Sequence, residues 1–259
     1  MIKLLLSEWL KTKRTAVRWL TLCMPLVFSI LTVIYLSIRP NSSQEFAFEG
    51  FFTIWTVFVI PLGVGVLSGL IVDEEELAGN FNGFLLTAIS RTRLYLGKFL
   101  LMFLCASVCT FIAVLILCIG MNLVMEGEIL TPVFVMAAIF IVFGTLPILA
   151  IHLWLSFAWG MGASIGMSIG GILMSALFGL TGLGTKIWPF IPWTWPIKLG
   201  MLPGICFSDT IQSDSMMELL QNIKRTIIIG GGSVLFGSTI ILIGSMIWFN
   251  IWEGRTNYG

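Results

Sequence analysis

The sequence predicts an all-α integral membrane protein: six transmembrane helices, an N-terminal interfacial amphipathic helix, and a second amphipathic helix on the cytoplasmic side. The first observation is composition. Hydrophobic residues make up 58% of the chain and charged residues 10%, with mean hydropathy +1.02. A soluble domain carries about 25% charge, so a water-exposed surface could not be covered here. The second is a set of long runs without Asp, Glu, Lys or Arg. The third is one charged, helix-like segment near residues 73–98 that interrupts them. The formal net charge of +1 argues against nucleic acid as a partner.

Residues 2–17 come first. Ile2, Leu5, Leu6, Trp9 and Leu10 share a helical face, while Lys3, Lys11, Lys13 and Arg14 sit mostly elsewhere. That is the pattern of a helix lying in the membrane interface, preferred over a charged flank that only sets topology. The arm covers residues 1–18.

A helix needs about 20 apolar residues to cross the hydrocarbon core. Residues 19–38, 50–72, 99–125 and 226–252 qualify. The uncharged stretch 129–185 is too long for one crossing and fits two, 133–156 and 162–183, joined by a tight turn near Trp159 and Gly160. Backbone groups in lipid must pair within the protein, so helices are the state these runs adopt. The first run is too long, and lacks the small-residue cleavage site, for a removed signal peptide.

Orientation follows from the basic residues. Nine fall on the side of the N-terminus (Lys3, Lys11, Lys13, Arg14, Arg18, Arg91, Arg93, Lys98, Arg255) and five on the other (Arg39, Lys186, Lys198, Lys224, Arg225). The excess places both termini in the cytoplasm.

The segment after the second run opens with Asp73, Glu74, Glu75 and Glu76. Leu77, Phe81, Phe84, Leu85 and Ala88 follow at helical spacing, and Arg91, Arg93 and Lys98 close it. Acids at the start and bases at the end suit the helix macrodipole. Gly79 and Gly83 weaken helix propensity, which implies a partner surface. Four consecutive acids are repelled by anionic lipid, so docking to a protein is favoured over lying on the membrane.

The order of these features, with Leu85-Leu86, Ser90-Arg91 and Leu94 to Gly97-Lys98 before the next span, resembles the coupling-helix region of ABC-2-type permeases. The six-helix plan, the arm and the long outer connection before the last span match as well, so the resemblance covers essentially the whole chain. Ile89 stands where that family often has proline. The resemblance implies a single transmembrane domain over 1–259. It also implies that Leu77 to Ile89 docks on a separate ABC ATPase subunit, the residues Asp73–Glu76, Leu77, Gly79, Phe81, Phe84, Leu85, Arg91 and Arg93 forming the coupling site. ATP and Mg then belong to the partner, this chain has no cofactor, and a second permease subunit, identical or related, completes the exporter. Within the family, Arg14 after Lys11 and Lys13, Pro61-Leu62-Gly63 and Ala78-Gly79-Asn80 look similar to permeases of lantibiotic-immunity transporters (nisin-, epidermin- and mutacin-type self-protection). That implies a bacterial plasma membrane and an amphiphilic peptide substrate. The alternatives are export of a lipid, glycan or other drug, and a non-transporting sensor or scaffold subunit.

No phosphate-binding loop G-x-x-x-x-G-K-[ST] is present, and Gly230-Gly231-Gly232 reads as helix packing, so no ATPase site or catalytic residue is expected. The single His152 reads as hydrogen-bonded structure rather than a proton relay, and one histidine excludes a zinc protease of the H-E-x-x-H kind. Glu74-Glu75 lacks the arginine and histidines of an intramembrane prenyl-protein protease. Cys105 and Cys109 share a helix face without a His or acid and read as packing, not metal ligands. Gly162, Gly166 and Gly170 are spaced four apart; packing within the chain is preferred over a contact between two permeases. Residues 184–225 form the outer connection. Its run Trp188 to Pro196 is too proline-rich for a regular helix. Trp188, Trp193 and Trp195 there read as an interfacial anchor or as a surface meeting an amphiphilic substrate. Glu126, Glu128, Asp209, Asp214 and Glu218 add negative charge that draws cationic peptides.

Overall fold

A computed structural model describes residues 2–39, 42–79, 81, 89–207 and 213–254. Helix is the only regular structure among them. The short α1, Ile2–Lys11, precedes α2, Ala16–Ile38. α3, Gln44–Ile54, continues through one π-helical turn, Trp55–Val59, into α4, Ile60–Leu77. Proline in a regular helix clashes with the carbonyl four residues earlier. For Pro61 that residue is Val57, inside the widened turn, which takes up the misfit.

α5, Arg91–Val124, and α6, Thr131–Met174, follow, the latter running on through a π-helical stretch, Ser175–Leu180. Five helical stretches are long and apolar enough to cross a membrane: Ala16–Ile38, Gln44–Leu77, Arg91–Val124, Thr131–Leu180 and Leu220–Ile251. The fourth is not straight. Gly160 has φ 85° and ψ −177°, and His152 Nδ1 lies 2.9 Å from Ser164 Oγ. A continuous helix would hold residues twelve apart at about 18 Å along its axis. The chain therefore turns back at Gly160, and residues on either side of it face each other. Only glycine adopts such a φ without strain.

Against these two arms lies α4. A Cβ on Gly65 would fall 1.9 Å from Ser168 Oγ, and one on Gly69 would fall 2.5 Å from Met161 Cγ. Glycines there let the backbones approach closely. α2 packs on α5, tied by Ser29 Oγ donating to Ala113 O at 2.8 Å. The core among the described residues is a continuous apolar cluster running through these helices, with Phe48, Phe51, Phe52 and Trp55 at one end and Tyr95, Phe157 and Phe249 at the other.

The connection after α6 does not stay outside the bundle. Residues 181–207 form 3-10 turns and a short helix α7, Trp195–Gly200. This segment folds back between the helices. The backbone of Pro196 sits where a Cβ of Gly144 would be (2.9 Å), and Trp193 lies across Gly171. α8, Ser213–Ile251, then closes the bundle.

Candidate functional site

The charged segment is built differently from its sequence pattern. Asp73, Glu74, Glu75 and Glu76 do not open a helix; they form the last turn of α4. Carboxylates at a helix C-terminus oppose the macrodipole. The structure offsets this with cations from elsewhere. Lys98 Nζ, on α5, lies 2.5 Å from Glu75 Oε1 and 2.5 Å from Glu8 Oε2 of α1. Lys11 Nζ, also on α1, bonds Glu75 Oε1 at 2.8 Å and Glu8 Oε1 at 2.9 Å. The Lys98, Glu8 and Glu75 side chains are 2%, 4% and 9% exposed. Two carboxylates and two ammonium groups thus balance within one largely buried knot joining α1, α4 and α5. Burial pulls the Lys11 ammonium down, but its bonds to Glu75 and Glu8 outweigh this and hold its pKa above the ordinary 10.5.

Beyond Leu77 the backbone turns. Gly79 has φ 131°, and the carbonyls of Glu74, Glu76 and Glu75 accept from the N–H groups of Ala78, Gly79 and Phe81. Gly79 supplies the conformation that ends many helices. Leu77 is 80% exposed, and Ala78 and Gly79 are exposed with it. Phe81 is not. Its ring is buried in this chain, 5.0 Å from Trp252 edge to face and 6.3 Å from Phe157. Within this chain Phe81 is thus an internal anchor, its apolar face packed on its own core. Phe84 and Leu85 lie outside the described residues.

On the far side, Ile89 and Ser90 are exposed and α5 begins at Arg91. A cation at a helix N-terminus again opposes the dipole of its own helix. Arg91 instead serves α8: its Nη1 donates to Asn250 O at 3.1 Å and Trp252 O at 2.5 Å. Those are carbonyls left open at a helix end. Arg93 is exposed. Both ends of the 78–90 connection are thus fastened, one to α1 and α5 through Glu75, the other to α8 through Arg91, with Phe81 wedged on Trp252 between them. Leu77, Ala78, Gly79, Ile89 and Ser90 are left exposed.

The N-terminal arm packs on α5 through Leu4, which lies 2.9 Å from where a Cβ of Gly97 would sit. Leu6, Trp9 and Leu10 remain exposed. Arg18 holds the end of α1, its guanidinium 4.7 Å above the Trp9 ring and donating to Trp9 O at 2.8 Å.

A second polar group lies within the bundle. Ser68 Oγ on α4 is 2.7 Å from Ser156 Oγ and 3.0 Å from Ser164 Oγ, and it donates to His152 O at 3.1 Å. These side chains are fully buried. His152 thus has the structural role of closing the hairpin. The three tryptophans of the returning segment lie at different depths. Trp188 and Trp195 are buried in a small cluster with Leu199 and Val234, and Trp195 Nε1 donates to Trp188 O at 3.1 Å. Trp193 is half-buried, packed on Gly171 and 6.3 Å from the His152 ring. The first two fill a gap between helices. The Gly162, Gly166 and Gly170 face is corrected: a Cβ at each would meet nothing within 4 Å, so that stripe does not pack within the chain.

The sequence profile of the ABC-2 family transporter proteins matches residues 4–170, well over half of the chain and including the arm, the knot and the fastened connection. The chain belongs to that family. It is accordingly a multi-pass transmembrane subunit of an ABC transporter, a family whose members associate with an ABC ATPase subunit and carry no ATPase site of their own. No curated protein matches the chain. Among the described residues no group of three His, Cys, Asp or Glu side chains could hold a metal ion, and the five cysteines are free thiols.

The sequence reading of this ABC-2 permease missed Glu8 and the pairing of Lys98. A signal was present: Glu8 is the lone acid on an otherwise apolar and basic arm, and Lys98 lies eight residues into a membrane-entering helix. Ionisable groups so placed need partners.

Proposed function

We propose that the chain is the membrane-spanning permease subunit of an ABC exporter with six membrane crossings and both termini in the cytoplasm of a bacterial cell. The segment Leu77 to Ile89 is the coupling element that a separate ATPase grips. The observation that carries this reading is the fastening of that connection. A push on an element free at its base would be absorbed locally. Here it reaches α1 and α5 through the Glu75–Lys98–Glu8 knot and α8 through Arg91. Packed elements with discrete arrangements transmit such displacements as rigid bodies.

ATP-driven closure of two ATPase subunits would then rock the spans, α4 moving together with the α6 hairpin it is packed against. The unpacked stripe at Gly162, Gly166 and Gly170 supports a second permease subunit lying against that arm, since small residues favour close helix contact. The exposed Leu6, Trp9 and Leu10 support an arm that lies in the interface. The cargo is an amphiphile expelled from the membrane, a lantibiotic-type peptide in producer self-immunity.

Affinity purification from the native membrane tests the assembly: a P-loop ATPase should travel with the chain, and its absence contradicts the reading. Deleting the chain should leave a producer strain hypersensitive to its own peptide. Unchanged tolerance together with retained ATPase partnership would point to a lipid, glycan or drug cargo instead.

A further inference from the structure

At the end of the bundle opposite the N-terminal arm, a groove of about 450 Å³ runs between α2 and α3. That volume lies within the range of about 300–1,000 Å³ typical of small-molecule sites. Its floor is the Phe28–Phe51 pair, ring centroids 5.3 Å apart. Leu31 and Ile54 form its sides, and Tyr35 and Phe46, 6.4 Å apart, form its mouth. Gly50 keeps one wall open, since a Cβ there would meet nothing within 4 Å. The hydroxyl of Thr32 in the groove is already spent on Phe28 O at 3.0 Å. The interior offers hydrocarbon and no free donor, so an apolar chain suits it and a polar group does not.

The mouth is different. Arg39, the residue that caps α2, donates from Nη1 to Tyr35 Oη at 3.0 Å, and its guanidinium carbon sits 4.5 Å above the Phe46 ring. These contacts fix the fork beside the groove and leave it exposed. Among the described residues no carboxylate forms an ion pair with it. Glu45 and Glu49 on α3, and Glu126 and Glu128 after α5, stand at the same end, so diffuse charge there does not collect anions. An anion must be taken by the guanidinium directly. Phe28 and Arg39 are eleven residues apart, about 16 Å along a helix. One leaflet of hydrocarbon is about 15 Å thick. Groove and cation are therefore spaced as the chain and headgroup of one lipid.

We propose that this groove holds a single phospholipid, an acyl chain along Phe28, Leu31 and Phe51 and the phosphate on Arg39. Guanidinium groups bind phosphate through paired hydrogen bonds. The inference needs only that the helices span a bilayer and does not depend on the coupling role of Leu77 to Ile89.

The test reconstitutes the full chain in vesicles of an uncharged, phosphate-free glycolipid, diglucosyl diacylglycerol. Tracer phosphatidylglycerol, or tracer diacylglycerol without a phosphate, carries a photoreactive group on its acyl chain. Phosphatidylglycerol should label residues 28–54 at least about fivefold above residues 220–251. Arg39→Gln should lower that labelling about tenfold, as expected for loss of charge-assisted bonds, and leave the weaker diacylglycerol labelling unchanged. Gly50→Leu, which fills the groove, should lower both. Both positions are exposed, so neither change disturbs the core. Uniform labelling of all lipid-facing helices would overturn the proposal, and so would phosphatidylglycerol labelling indifferent to Arg39→Gln. Disulfide-linked dimers formed through Leu31→Cys would also overturn it, by showing that a second copy covers the groove.

Discussion

Replacing Lys98 by methionine probes the knot that fastens the coupling connection. Lys98 Nζ lies 2.5 Å from both Glu8 and Glu75, and the three side chains are 2%, 4% and 9% exposed. Methionine fills similar volume but leaves two buried carboxylates sharing only Lys11, whose side chain is 45% exposed. Breaking a buried pair by removing one partner costs about 3–5 kcal/mol. Every 1.4 kcal/mol is tenfold in an equilibrium constant, so the unfolded population should rise by about two to three and a half powers of ten. Denaturant titration in micelles, followed by the fluorescence of the ten tryptophans, reads this directly. The triple change Lys98→Met, Glu8→Gln and Glu75→Gln removes the three buried charges together, leaving only the part-exposed Lys11, and should recover stability to within about 1 kcal/mol, since apolar or neutral replacements of buried ion groups are often neutral. A single Lys98→Met variant that unfolds at the parental midpoint would refute the argument. It would mean that the carboxylates are solvated or protonated rather than paired.

Four other outcomes follow from the same geometry. Phe81→Ala should cost about 3–5 kcal/mol in the same titration, as for other buried aromatic truncations. Leu77→Asp, at an exposed position, should shift stability by no more than about 0.5 kcal/mol while lowering ATPase co-purification. Gly65→Ala places a Cβ 1.9 Å from Ser168 Oγ and 3.0 Å from Ser164 O; the overpacking should destabilise by about 1–3 kcal/mol, seen as a lower midpoint. Lys11 is held above its ordinary 10.5 by Glu75 and Glu8. A raised folded value means that its contribution is full below pH 10.5 and is lost as pH rises through the folded pKa. Midpoints measured at pH 9 and above pH 11 should therefore converge between the parent and Lys11→Met as pH rises.

Much of the architecture was legible in the sequence because hydrocarbon imposes a length rule on apolar runs. Gly160 marked the reversal within the longest run, since a single helix there would overshoot any bilayer. The helices extend past the predicted apolar limits, to Leu77 on one side of the connection and from Arg91 on the other, because a helix has no reason to end where the hydrocarbon does. The acidic quartet misled for a physical reason. Its position suits the start of a helix, yet charges from α1 and α5 override the local dipole preference once the chain folds. Arg91 does the same for α8. Such pairings join residues 64 or 161 positions apart, and no local pattern announces them. Phe81 reads as an exposed apolar position by helical spacing, but with φ 63° it is not helical. The close contact of α4 with the α6 hairpin uses Gly65 and Gly69, four apart, a spacing that went unread in the sequence. The Gly162, Gly166 and Gly170 stripe carried the same signal and packs on nothing within the chain.

The most direct measurement is site-specific photo-crosslinking from position 77 in the native membrane, with Phe81 as the buried control. The account predicts an ATP-responsive adduct between position 77 and a P-loop ATPase, and none from position 81. An adduct at neither position, or labelling of residue 77 by a membrane-impermeant reagent added outside intact cells, would contradict it.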